Sequence, residues 1–234
     1  MGNTNISVTV CTCAFRRIMN KDEIIQLVSA LKNAGQTVTV VSDLCKTAIS
    51  DAEQMAMIAS TTVVACYPRA VKSIFDRVGL NPKQVFDIRN HTSEQILQAM
   101  GVSNPGLRIA NPGFSAFETR NQKPETSQEA WYPVIDKERC TECGKCHDFC
   151  LFGVYAVKDK AVKVTQPQNC KNNCPACARV CPSKAIIFPK YEKSPINGGL
   201  HNEETFNDEE TKTLYNNALK HKLNERRTKV ALVK

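Results

Sequence analysis

Two cysteine-rich stretches decide the fold of the second half of the chain: CTECGKCHDFC at residues 140–150 and CKNNCPACARVCP at residues 170–182. The cysteines at positions 143, 146 and 150 recur 31 residues later, at 174, 177 and 181. The flanking sequences also correspond, since LFGVYAV at residues 151–157 aligns with PSKAIIF at residues 182–188. This internal repeat predicts two half-modules packed about a pseudo-twofold axis.

The spacing of these cysteines suits the ligands of iron–sulfur clusters. Three thiolates on one tight loop bind three corners of a [4Fe–4S] cube, and the next turn carries the fourth cysteine to the other cluster. The spacing therefore predicts two sets of ligands. The first ligand set is Cys140, Cys143, Cys146 and Cys181, and the second is Cys150, Cys170, Cys174 and Cys177. Structural zinc prefers four ligands in separate Cys-x2-Cys pairs, which fits two interlocked quartets less well.

Residues 134–191 resemble bacterial-type ferredoxins that carry two [4Fe–4S] clusters, through this spacing and the final Cys181-Pro182. A cube whose four irons all carry protein thiolates transfers electrons and has no open position for a reactant. The sequence departs from the ferredoxin pattern twice. Leu151 stands where a proline is usual, and the Cys170–Cys174 gap contains one extra residue. We expect the insertion to widen the loop around the second ligand set.

The first hundred residues alternate between strand-like and helix-like patterns. The strands are expected at residues 6–11, 37–41, 61–65 and 84–88, and the helices at residues 20–33, 51–59, 69–78 and 93–100. Such alternation predicts a parallel sheet with right-handed crossovers. The predicted organisation is a Rossmann-like α/β domain (1–105), a linker (106–133), an α+β ferredoxin-like two-cluster domain (134–191) and an amphipathic helical tail (192–234).

Four further cysteines follow the predicted strands of this sheet. Cys11 and Cys13 end the first strand, Cys45 follows the second, and Cys66 follows the third. The carboxyl ends of parallel strands meet at one edge, where α/β folds gather their ligands. Four thiols there have the right number for a third [4Fe–4S] cluster. Two interpretations stay open beside it: buried core cysteines and a zinc site.

Residues 5–80 are similar to the N-terminal domain of HdrA, the flavin-binding component of heterodisulfide reductase. The similarity rests on VTVCTC at residues 8–13, on Cys45, and on VVACYPR at residues 63–69. The resemblance implies that an iron–sulfur cluster is bound here. The chain departs at Ala14 and Tyr67, where glycine and serine are usual. It has no G-x-G-x-x-G or Walker A motif, so neither a flavin nor a nucleotide is expected.

Composition narrows the class of protein. Of the 234 residues 42% are hydrophobic, without an apolar run of membrane-spanning length or a secretory signal, which predicts a cytoplasmic protein. Twelve cysteines in an unexported chain favour metal over disulfides. The formal charge of +8 would suggest an acidic partner such as nucleic acid. Two clusters would reduce it to about +4 and three to about +2, so nucleic acid is not expected.

Several residues near the cysteines are interpreted as structural. Three arginines flank the proposed third cluster: Arg16, Arg17 and Arg69. We interpret them as solvated side chains. The alternatives are that they raise the reduction potential of the cluster or bind an acidic partner. We interpret His91 as a structural residue and His147 as exposed. Trp131 and Tyr132 are expected to pack the linker.

Together these features predict an oxygen-sensitive, cytoplasmic electron-transfer subunit of an oxidoreductase complex, itself without catalytic residues. The expected partners are a flavoprotein, a hydrogenase- or formate dehydrogenase-type module, or a heterodisulfide reductase-like subunit. One alternative is an enzyme subunit whose N-terminal domain binds substrate or carries an open iron. Another is a redox-responsive regulator that binds nucleic acid, although the chain has no recognised DNA-binding motif.

Overall fold

A four-stranded parallel sheet forms the first half of the protein. The structure is a computed structural model, and it describes residues 6–14, 16, 18–102 and 129–199. The strands are β1 (Ser7–Cys11), β2 (Thr37–Val41), β3 (Thr62–Ala65) and β4 (Gln84–Asp87). Their order across the sheet is β2-β1-β3-β4, so β1 and β3 are the two central strands. Both are rich in β-branched residues, and Val8, Val10, Val63 and Val64 have at most 1% exposure.

Five helices connect or follow these strands. They are α1 (Lys21–Asn33), α2 (Leu44–Ser50), α3 (Ala52–Ala59), α4 (Pro68–Arg77) and α5 (Ser93–Ala99). The Asn20 side chain caps α1 by accepting a hydrogen bond from the Asp22 N–H at 3.0 Å. The apolar face expected from the spacing of Ile24, Leu27 and Leu31 is buried. The alternation in the sequence therefore corresponds to a parallel sheet with helices.

Helix α2 was not predicted from the sequence, which indicated one helix at residues 51–59. Asp43 caps α2 by accepting from the Lys46 N–H, and Asp51 caps α3 by accepting from the Gln54 N–H. The Asp51 backbone N–H also bonds the Thr47 carbonyl at the end of α2. One aspartate thus ends the first helix and begins the second, which is why the shorter one lacked a recognisable boundary.

The cysteine-rich half of the protein, residues 129–199, contains short helices and short strands. Helices α6 (Lys145–Phe149) and α7 (Ala176–Val180) accompany the antiparallel pair β5 (Val134–Ile135) and β8 (Ile186–Ile187). Strands β6 (Tyr155–Lys158) and β7 (Ala161–Val164) form a hairpin, and a 3-10 helix, Pro167–Asn169, leads to Cys170. A second apolar core gathers Trp131, Val154 and Phe188 with Cys146 and Cys177.

The two halves share packing contacts. Tyr132, Val134 and Ile187 of the cysteine-rich half belong to the same apolar core as the parallel sheet. The chain up to Gly199 forms one compact unit. The boundaries of the predicted domains stay a prediction, while most of the linker and the tail beyond Gly199 lie outside the described residues. Within the described ranges, no helix has the length and apolar character needed to cross a membrane.

Candidate metal centres

The structure brings the first ligand set together around α6 and α7. Cys140 follows β5, Cys143 and Cys146 lie at and just inside the start of α6, and Cys181 ends α7. Cys140 is close enough to Cys143 and Cys181 for their charges to interact. Cys146 is equally within electrostatic range of Cys140 and Cys181. Cys146 is buried, whereas Cys143 is exposed. These four thiols are therefore neighbours in space, although Cys181 lies far from the others in sequence.

The second ligand set is gathered in the same interlocked manner. Cys170 interacts with the charges of Cys150, Cys174 and Cys177, and Cys177 interacts with Cys150 and Cys174. Cys150, at the end of α6, thus leaves its own loop and joins the cysteines around α7. The two sets also lie side by side, since Cys177 interacts with the charge of Cys146.

A backbone N–H and a side-chain hydroxyl donate hydrogen bonds to cysteine sulfurs of the two ligand sets. The Ala185 N–H donates to Cys181 Sγ at 3.3 Å, and the Tyr155 O–H donates to Cys177 Sγ at 3.1 Å. Gly144, with φ 75, turns the chain sharply into α6. Donors aimed at sulfur stabilise thiolates and tune the potential of an iron–sulfur cluster.

The four N-terminal cysteines lie at one edge of the parallel sheet. Cys11 ends β1, Cys13 lies two residues beyond it, Cys45 is in the first turn of α2, and Cys66 links β3 to α4. The charges of Cys11 and Cys13 interact with that of Cys66, and the charge of Cys45 with those of Cys13 and Cys66. All four are buried, with 5–7% exposure. We call this group the N-terminal site.

Burial governs the acidity of these thiols. It raises the pKa of all four, that of Cys13 to about 12. In the cysteine-rich half, burial raises the pKa of Cys146 to about 11 and those of Cys170 and Cys177 to about 12. Such thiols ionise readily only when a metal supplies compensating positive charge.

Lys190 is a functional candidate that the sequence did not reveal. Its Nζ lies 2.5 Å from Asp43 Oδ2, and both side chains are only 2% exposed. Its positive charge lowers the pKa values of Cys11, Cys13 and Cys45 against the larger effect of burial. Burial acts to lower the pKa of Lys190, but the charges of Cys45 and Asp43 outweigh it and raise that pKa.

A second cation near the N-terminal site is Arg89, which follows β4. Its charge lowers the pKa values of Cys13 and Cys66, and its guanidinium lies 4.6 Å from the centre of the Tyr67 ring. No motif marks either cation in the sequence. Arg89 could have been found only from the strand order, because β4 pairs in parallel with β3 and its end therefore lies next to Cys66.

The arginines expected beside the N-terminal site are paired with other groups. Arg16 forms a 2.5 Å ion pair with Glu129. Arg69 pairs with Asp136 at 2.5 Å and also donates to the Lys184 carbonyl. The prediction that Arg16 and Arg69 are solvated is therefore wrong, because both form ion pairs with residues of the cysteine-rich half. Arg17 lies outside the described residues.

The histidines and aromatic residues occupy structural positions. His91 Nδ1 lies 3.0 Å from the Asp87 carbonyl oxygen, and His147 is exposed beside Asp148. The Trp131 ring stacks on that of Phe188, with centroids 5.3 Å apart. The Tyr132 O–H donates to the Cys45 carbonyl at 2.8 Å. Trp131 and Tyr132 therefore pack the region between the two halves.

The donor groups fit iron–sulfur clusters. All twelve cysteines are free thiols, arranged in three groups of four. Within the part of the chain that the structure describes, no three His, Cys, Asp or Glu side chains form a site for a single metal ion. Thiol-only quartets with sulfur-directed donors are the ligand type of [4Fe–4S] clusters. The two quartets around α6 and α7 define a ferredoxin-type iron–sulfur domain.

Curated relatives support that class. The chain is 48% identical over 67 residues to an uncharacterized ferredoxin of Methanocaldococcus jannaschii, covering 28% of this chain and 45% of the relative. A second uncharacterized ferredoxin of that organism is 37% identical over 58 residues, which are 24% of this chain and 74% of the relative. The thiosulfate reductase electron transfer subunit PhsB of Salmonella typhi is 28% identical over 85 residues, 34% of this chain and 44% of that protein.

The match that covers three quarters of its relative establishes the family: the chain belongs to the ferredoxins. The chain spans less than half the length of three other curated relatives that it matches. No protein-family model matches the chain. These relatives support an iron–sulfur electron-transfer role.

Proposed function

We propose that the protein is an electron-transfer subunit of a cytoplasmic oxidoreductase complex, with two ferredoxin-type [4Fe–4S] clusters and a third at the N-terminal site. The observation that carries this proposal is the grouping of the twelve free thiols into three quartets, two around α6 and α7 and one at the carboxyl edge of the parallel sheet. When bound, each cluster supplies one-electron redox chemistry.

The protein's own residues hold and orient these groups. In the cysteine-rich half, the short helices α6 and α7 and the loops that lead into them present both ligand sets, and the Tyr155 O–H donates to Cys177 Sγ. At the N-terminal site, the Leu44 N–H donates to Cys11 Sγ at 3.4 Å. Lys190 and Arg89 bring positive charge to the same site, where it offsets the charge of four thiolates.

The N-terminal site is better suited to an electron relay than to substrate binding. Its four cysteines are buried, and the recess beside it, lined by Cys45, Trp131, Tyr132, Phe188 and Lys190 among others, has no room for a water molecule. An electron crosses packed protein without a channel, whereas a substrate needs a cavity. The alternative of a substrate site fed by the ferredoxin clusters therefore gains no support from this region.

The partners are proposed from the resemblances. The sequence resemblance of residues 5–80 to the N-terminal domain of HdrA favours a catalytic heterodisulfide reductase-like subunit, a flavoprotein, or a hydrogenase- or formate dehydrogenase-type module. PhsB is by name an electron transfer subunit of a reductase, and a comparable role here is consistent with that match.

Anaerobic iron and sulfide analysis tests the number of clusters. Three clusters correspond to about twelve iron atoms per chain and two clusters to about eight. Cys66→Ser should remove about four iron atoms and leave the ferredoxin spectrum intact, while the matched variant Cys150→Ser should disturb that spectrum. Iron content that stays unchanged in Cys66→Ser would exclude the third cluster.

A further inference from the structure

The extra residue in the second ligand loop forms part of a defined turn. Asn173, just before Cys174, has φ 59, a left-handed conformation that asparagine tolerates better than most residues. The Cys174 N–H closes the turn on the Lys171 carbonyl at 3.1 Å. A hydrogen-bonded turn therefore closes the loop that contains the extra residue, and the exposed Asn173 lies beside the second ligand set.

Arg16 forms a hydrogen bond with the Asn173 side chain. Its guanidinium donates to Asn173 Oδ1, forms a 2.5 Å ion pair with Glu129, and lies 4.9 Å from the centre of the Trp131 ring. The Arg16 backbone N–H bonds the Cys13 carbonyl at 3.2 Å, so the arginine is part of the N-terminal cysteine loop. One side chain thus joins the loop of Cys11 and Cys13 to the loop of Cys174.

An independent packing contact links the same two sites. The core around the parallel sheet contains the four cysteines of the N-terminal site, and Cys170 packs against it. Cys170 also packs against the second core, with Cys177. Among the described residues of the ferredoxin ligand sets, Cys170 is the one cysteine in contact with the sheet-side core. The second ligand set is therefore in direct apolar contact with the N-terminal half.

The first ligand set is connected to the sheet differently. Arg69 and Lys72 of α4 bind Asp136 and Glu138, which lie before Cys140 in sequence. These contacts fix the approach to β5 and to Cys140, and they bring no cysteine of the first set into the sheet-side core.

We propose that Arg16 and Asn173, in the loop that contains the extra residue, form a clamp that couples the N-terminal site to the second ferredoxin site, which makes these two sites direct electron-exchange partners. This proposal rests on the proposed function. Each exchange moves one electron, so that one site is oxidised as the other is reduced, and no bond or proton is transferred. One-electron redox proteins supply or remove the electron at the ends of the relay.

Hydrogen–deuterium exchange of the iron-loaded, full-length protein tests the clamp. Arg16→Met and Asn173→Ala each remove a charge-assisted hydrogen bond, and exchange of residues 170–174 should then become about tenfold faster or more. The matched control is Lys72→Met, which removes an exposed ion pair between the same two halves and should leave that exchange unchanged. Unchanged protection of residues 170–174 in both clamp variants would overturn the proposal.

Electron paramagnetic resonance of the reduced protein tests the coupling. In the parent protein we expect spin–spin interaction between the N-terminal site and the second ferredoxin site, assigned with Cys66→Ser and Cys150→Ser, and weaker interaction in Arg16→Met at equal iron content. Interaction with the first ferredoxin site in place of the second would refute the electron-exchange order. If iron analysis finds no cluster at the N-terminal site, the proposed function fails there, whereas the exchange measurement still decides whether the clamp exists.

Discussion

The N-terminal site and the ferredoxin half hold cysteines in contrasting environments. All four cysteines of the N-terminal site are buried, whereas those of the ferredoxin half range from buried Cys146 to exposed Cys143. The ferredoxin cysteines sit on loops whose spacing presents them together. The N-terminal cysteines come from three separate strand ends, and they meet because the sheet is parallel. In the first arrangement two short loops each supply three cysteines and exchange the fourth, and the second arrangement depends on the pairing of parallel strands.

The two regions also differ in how charge is compensated. In the ferredoxin half, nearby donors such as the Ala185 N–H and the Tyr155 O–H point at sulfur. The N-terminal site also has such a donor, the Leu44 N–H on Cys11 Sγ, and in addition it has a buried cation, Lys190, from the other half of the molecule. A sealed site needs protein charge or metal charge to stabilise thiolates, because water does not reach its sulfurs. The contrast predicts that the N-terminal site is the more sensitive of the two to loss of charge.

The largest predicted effect follows removal of the metal. In the metal-free protein, burial holds the pKa values of Cys13 and its three partners above the ordinary thiol value of 9.0. Above that pH the unfolded chain loses these protons while the folded chain retains them, so the free energy of unfolding falls as pH rises. For each such thiol the expected loss is about 0.7 kcal/mol per pH unit at pH 9 and approaches about 1.4 kcal/mol per pH unit above pH 10.

Urea denaturation of the metal-free protein at several pH values between about 8 and 10 measures this slope. Cys13→Ala should reduce the slope, because that thiol no longer titrates. A flat profile across this range would contradict the burial of the N-terminal thiols.

The next largest effect concerns Lys190. Lys190→Met leaves the Asp43 carboxylate buried without its ion-pair partner, and breaking a buried pair in this way costs about 3–5 kcal/mol. Thermal melting of the iron-loaded protein should therefore shift down by roughly 10 °C. The double variant Lys190→Met/Asp43→Asn removes both charges and should recover much of the loss. Equal destabilisation in the single and double variants would show that packing, not charge, is responsible.

Much of the architecture could be predicted from the sequence because its signals are local. The apolar spacing of Ile24, Leu27 and Leu31 predicted α1, and the β-branched runs predicted the strands of the parallel sheet. Helix α2 escaped prediction because seven residues carry too little periodicity and Asp51 serves both α2 and α3. Short elements bounded by a shared residue have no separate signature.

The site was predictable to the extent that its ligands follow a spacing. Cysteine positions alone suggested the three quartets that the structure gathers, although binding of clusters to them stays a prediction. Lys190 was not predictable, since it lies 147 positions from Asp43 and no local pattern links the two. The contact between Arg16 and Asn173 spans 157 positions and was hidden for the same reason.

A smaller effect is expected at Tyr132. Tyr132→Phe removes the hydroxyl that donates to the buried Cys45 carbonyl, which should lower stability by about 1–3 kcal/mol. Release of iron on heating should begin earlier at the N-terminal site than at the ferredoxin sites. The matched control is Tyr191→Phe, whose hydroxyl accepts a surface hydrogen bond from Arg179, and its stability should change by at most about 0.5 kcal/mol. Uniform iron loss in Tyr132→Phe would argue against local support of Cys45.

The smallest effect is expected at Lys72, which pairs with Glu138 across the same two halves that Lys190 joins. Both side chains of this pair are exposed, at 51% and 73%. Water and salt screen the attraction and the long side chains lose entropy when they pair, so Lys72→Met should leave the melting temperature unchanged within error. Scans of both lysine variants at low and high salt make the comparison direct. If Lys72→Met destabilised the protein as strongly as Lys190→Met does, contact between the halves would explain both effects. A difference between the two variants would instead attribute the role of Lys190 to its burial beside the N-terminal cysteines.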